Sequence, residues 1–93
     1  MTRLSDLITD VLAILRAGEH DTSWSSYDST ADAIEELERL QPRVEAGERE
    51  AVERFRFLCL PTGAIEEIAV SSGWSGRWLE LVNGKYRDTL SPQ

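Results

Sequence analysis

Apolar residues return at intervals of three and four along most of this chain, and that spacing restricts the fold more than any other feature. Leu4, Leu7, Ile8, Val11, Leu12, Ile14 and Leu15 fall largely on one face of a helix. Thr2 or Ser5 caps its start and Gly18 can end it, so a helix is predicted over Ser5–Ala17. A stripe that wide has to be buried against other elements. Ala33, Ile34, Leu37 and Leu40 form a second stripe between the capping run Asp28-Ser29-Thr30 and Gln41-Pro42, predicting a helix over 30–41. Ala51, Val52, Phe55, Leu58 and Cys59 share a third face, predicting a helix over 48–60 with Glu50 and Arg54 paired at i, i+4 on its exposed side. Leu60-Pro61-Thr62-Gly63 then breaks the chain.

The last third admits two readings. Ala64, Ile65, Ile68 and Ala69 have helical spacing after the possible cap Thr62, and Trp74, Trp78, Leu79 and Val82 have it after Ser75. Gly73 lies between the two runs and Gly84 is available as a terminator. Against this, Asn83-Gly84 tolerates the positive φ of a type I′ turn and supports a hairpin over 78–87. The favoured fold is all-α: one domain over 1–93 with about five helices, a three-helix bundle and a C-terminal helical corner. An α+β fold with the hairpin is the alternative. A chain of 93 residues has room for one core, which hides roughly 60–65% of the surface that the unfolded chain exposes.

Composition removes several functions. No apolar run is long enough to span a membrane. Asp6 and Asp10 interrupt the amino-terminal segment before it resembles a secretory signal, so a cytoplasmic location is expected. A single cysteine and a single histidine supply neither a disulfide nor a zinc site. His20, between Glu19 and Asp21, reads as a solvated loop residue, and Cys59 as a small core residue. Asp28 and Asp32 lie one helical turn apart, as a magnesium or acid–base pair would, but neither a histidine nor a phosphate-binding loop accompanies them. No catalysis, cofactor or metal is therefore expected. Adjacent apolar positions cannot all point inward, so either Phe57 or Trp78 marks a contact patch.

The net charge of −7 is concentrated. Residues 1–50 carry 12 acidic and 5 basic side chains, whereas 51–93 carry 5 of each. Between Glu19 and Glu38 there are seven carboxylates and no lysine or arginine. The positive end of the second helix's dipole accounts for part of this run. Such a run repels nucleic acid and attracts basic protein surfaces. Next to it, the polar loop 19–27 carries Trp24 and Tyr27. The expected interface is Trp24 and Tyr27 as anchors within a rim of Asp28, Asp32, Glu35 and Glu36.

Residues 65–85, with Ile68, Ala69, Gly73, Trp74, Leu79 and Val82 at the positions of a helical corner, resemble the helix-turn-helix of repressor-like DNA-binding domains. The resemblance implies DNA contacts from Ser75, Arg77, Lys85 and Arg87. Arg77 is opposed by Glu80, and the acidic excess disfavours binding to phosphates. A second pattern, Pro61-Thr62-Gly63, Glu67-Ile68 and Gly73-Trp74, resembles small bacterial proteins of the toxin-immunity type. It implies a protein that acts by covering a partner. The function expected first is an acidic protein-binding module, an inhibitor or immunity protein for a basic, nucleic-acid-handling partner such as a nuclease toxin. A helix-turn-helix transcription regulator is the alternative.

Overall fold

A computed structural model of the protein describes residues 3–18, 20, 27–60 and 63–90. Among these residues six α-helices follow in order: α1 (Arg3–Arg16), α2 (Thr30–Glu45), α3 (Arg49–Leu58), α4 (Ala64–Ser72), α5 (Ser75–Glu80) and α6 (Arg87–Leu90), with a π-helical turn at Leu81–Lys85 between the last two. Among the described residues there is no strand, and the protein is all-α. None of these helices is long and apolar enough to cross a membrane.

The apolar stripes become the core. Leu7, Ile8 and Val11 of α1, Leu37 and Val44 of α2 and Phe55 of α3 are each at most 1% exposed. Ile68 and Ala69 of α4 and Trp78 of α5 join the same cluster, so the C-terminal corner packs on the bundle. Trp78 is therefore the inward ring. Phe57 is the outward one, 61% exposed.

Glycine conformation sets two of the helix ends. Gly47 has φ +80° and Gly73 has φ +84°, a region costly for other residues. At the first, Gly47 N–H donates to Val44 C=O and Glu48 N–H to Arg43 C=O, both at 3.0 Å. At the second, Trp74 N–H donates to Ala69 C=O at 2.9 Å and Gly73 N–H to Val70 C=O at 3.4 Å. Both pairs are the bonds of a Schellman motif, which satisfies carbonyls that the helix leaves open.

Two of the expected stops, Pro42 and Gly84, do not end the helical course. Pro42 does not close α2, which runs to Glu45. Its ring is exposed, while Leu40 and Val44 on the buried face are 4% and 1% exposed. Burying Val44 draws the helix past the proline, and Ala46 N–H still reaches Pro42 C=O at 3.0 Å. The hairpin at 78–87 is absent, and Gly84 does not end the chain's helical course. Asn83 and Gly84 lie instead in the π turn, closed by Tyr86 N–H donating to Leu81 C=O at 2.8 Å. The wider turn carries Tyr86 inward to 1% exposure, where its hydroxyl donates to Asp10 Oδ2 at 2.6 Å.

The link from α3 to α4 is tight. Gly63, the cap residue of α4, lies so close to the end of α3 that a methyl group there would stand 2.7 Å from Leu60 C=O and 2.9 Å from Leu58 C=O.

Candidate protein-interaction surface

The head of α2 is built by a serine. Ser29, in extended conformation, accepts from Asp32 N–H through its hydroxyl at 3.2 Å, which satisfies one of the open amides of the first turn. Asp28 and Asp32 stand at this end, both exposed, where the helix dipole favours carboxylates. Neither has an ion pair among the described residues.

The remaining described carboxylates of the acidic run find cations. Arg16 at the end of α1 binds Glu38. Arg39 approaches Glu35 at 3.5 Å, one turn away, with both side chains largely exposed, an arrangement that contributes little. Glu36 is held more firmly. Arg54 of α3 donates to both of its oxygens, Nε to Oε2 at 2.8 Å and Nη2 to Oε1 at 2.9 Å, and Tyr27 adds its hydroxyl at 2.6 Å. The Arg54 bonds, opposed by partial burial and reinforced by Tyr27, hold the Glu36 carboxyl below its ordinary range. Burial and the neighbouring carboxylate push the Tyr27 hydroxyl up, so it stays protonated and donates.

Arg54 does not pair with Glu50 as the helical spacing had suggested; it crosses to α2. Glu50 is exposed and has no ion pair among the described residues. The Arg54 guanidinium also stands 5.9 Å from the centre of the Phe57 ring. Phe57 thus lies on the same side of the molecule as Glu36. Leu60, three residues on, is 51% exposed.

Of the expected interface, Tyr27 and Glu36 are brought together in an internal network, Glu35 is paired, and Asp28 and Asp32 remain open. Trp24 lies outside the described residues. Phe57, which sequence spacing left undecided, and Arg54, which it paired elsewhere, complete the surface.

His20 is a correction. It is half-buried and fully engaged: Trp74 Nε1–H donates to Nδ1 at 2.9 Å, Nε2 lies 3.1 Å from Ile14 C=O, and its backbone N–H donates to Thr30 Oγ1 at 3.2 Å. With Nδ1 accepting from the indole N–H, Nε2 is the ring nitrogen placed to donate to Ile14 C=O. The half-buried indole N–H of Trp74 needed an acceptor, and that need was the signal available in the sequence.

The corner α4–α5 places the alternative DNA contacts as follows. Ser75 is half-buried, Arg77 and Arg87 are exposed, and Lys85 donates to Asp10 at 3.0 Å. Glu80 is exposed on the same short helix as Arg77. Arg3, Asp6, Thr9, Asp10, Lys85 and Tyr86 line an open depression of about 250 Å³ where the C-terminal turn docks on α1. Burial acts to raise the Asp10 carboxyl, but bonds from Tyr86 and Lys85 outweigh it and the net shift is downward.

Among the described residues no three metal-ligating side chains converge, and no buried side-chain nitrogen or oxygen lacks a partner. Burial pushes the Cys59 thiol up to about 12, which keeps it protonated at neutral pH. Comparison with protein-family models, with curated proteins and with solved structures finds no match.

Proposed function

We propose that this chain is an acidic protein-binding module, an inhibitor or immunity-type protein that covers a basic, nucleic-acid-handling partner such as a nuclease toxin. One observation carries the reading: after folding has paired Glu35, Glu36 and Glu38 with arginines, Asp28 and Asp32 still stand exposed without a counter-ion among the described residues. Among the described residues Arg16, Arg39, Arg43, Arg49, Arg54 and Lys85 are engaged by carboxylates, which reduces the cations open to phosphates. An unbalanced acidic face steers a basic partner toward itself and slows association as salt is added.

A helix-turn-helix regulator is the second reading, favoured by the α4–α5 corner with its left-handed Gly73 and the exposed Arg77. Passage over nonspecific DNA at low salt, paired with co-expression of the neighbouring gene's product, separates the two. The protein-binding reading expects flow-through on DNA and a complex whose formation slows with salt. Retention on DNA that falls steeply with salt overturns it in favour of the regulator.

A further inference from the structure

We infer that the partner docks on the outer side of α2 and α3, with the exposed ring of Phe57 as the anchor and Asp28, Asp32 and Glu50 as the acidic rim; this rests on the protein-binding reading above. Phe57 is the one aromatic ring more than half exposed among the described residues, and Leu60 enlarges the apolar spot. A single exposed apolar side chain is ordinary on a protein surface. What sets this ring apart is its bracing. The Arg54 guanidinium stands 5.9 Å from its centre, and Arg54 is itself fixed by two bonds to Glu36, whose Oε1 also accepts from Tyr27. A ring flanked by an ordered guanidinium loses little freedom on binding, which favours affinity.

Charge selects the occupant. Arg54 is neutralised by Glu36, so it does not repel a cationic partner. Glu50, Arg54 and Phe57 follow one another at i, i+4 and i+7 on α3, while Asp32 precedes Glu36 by one turn on α2. The open carboxylates Glu50 and Asp32 thus sit one turn before the two members of the ion pair that stands beside Phe57. The complement is a basic protein surface with an apolar centre: a site for the ring, surrounded by lysine or arginine.

A synthetic amphipathic helical peptide of leucine and lysine carries that chemistry and serves as the probe, with a leucine–glutamate peptide as its control. Titrated into the full-length ¹⁵N-labelled chain, the cationic peptide should shift amide resonances of residues 28–36 and 50–60 and leave 75–87 unchanged. Phe57→Ser should weaken binding by about tenfold without changing the helical circular dichroism, because the ring is exposed. Equal binding of the two peptides overturns the charge argument. Shifts at 28–36 that Phe57→Ser leaves unaltered overturn this docking surface and leave the acidic module standing. No binding of the cationic peptide at any site overturns both. Sedimentation of the chain alone closes the remaining route: self-association abolished by Phe57→Ser would make a second copy the occupant, and the proposal would fall.

Discussion

Removing the Phe55 ring opens a void that its neighbours in the core cluster cannot fill by small shifts, because Phe55 is 0% exposed. Phe55→Ala should cost about 3–5 kcal/mol and Leu12→Ala about 2–5 kcal/mol, read as lower midpoints in urea. A loss under about 1 kcal/mol at both positions would contradict the assigned faces. The same physics explains what the sequence could reveal of single residues. The spacing of Leu7, Val11, Leu37 and Phe55 identifies the core because helical period and burial coincide there. Phe57 and Trp78 are ambiguous in sequence because orientation at the edge of a stripe depends on which neighbour arrives. The pairing within the acidic run is hidden in sequence for a related reason. Between Glu19 and Glu38 there is no cation, but Arg16, Arg39 and Arg54 lie outside that window and fold back onto it.

Helix ends are decided by backbone geometry that side-chain patterns record unevenly. Three residues of the pattern Pro61-Thr62-Gly63, Glu67-Ile68 and Gly73-Trp74, which carried the likeness to immunity-type proteins, have structural duties: close approach at Gly63, left-handed backbone at Gly73, and the Trp74 bond to His20. The two glycines should respond differently to alanine. Gly73→Ala strains φ alone, with open space for the methyl group, and should cost about 1 kcal/mol. Gly63→Ala drives a methyl group into two backbone carbonyls that no rotamer can move, and should cost about 2–3 kcal/mol. Urea unfolding of both variants checks the order, and equal losses would mean that the α3–α4 link yields. Gly73 was readable as a left-handed position. The continuation of α2 through Pro42 was not, because local rules end a helix there and only the burial of Val44 overrides them. Asn83-Gly84 suits either a hairpin or a helical turn, and the choice falls to Tyr86, whose partner Asp10 is 76 residues away.

Two arrangements of the same kind tie the whole molecule together. Tyr86 and Lys85 grip Asp10, fastening the C-terminal turn to α1, while Tyr27 and Arg54 grip Glu36, fastening α3 and the segment before α2 to α2. In each, a tyrosine hydroxyl donates to the carboxylate at 2.6 Å and a cation completes it. Both carboxyls are held below their ordinary values of 3.8 for Asp10 and 4.5 for Glu36. The unfolded chain therefore takes up protons at these groups before the folded one does. Their contribution to stability is complete above the ordinary carboxylate values and disappears as pH falls through the lower folded ones. Urea midpoints measured from about pH 6 to about pH 2 should hold and then drop below the ordinary carboxylate range. Asp10→Asn and Glu36→Gln should each lower the midpoint near neutrality and reduce that drop, since an amide has no proton to gain. Together the two substitutions should flatten the acid limb further than either alone, because the two carboxylates have no partner in common and bind different elements. A parent protein whose midpoint stays level to about pH 2, or a double variant that retains the full acid drop, would show that other carboxylates carry the linkage.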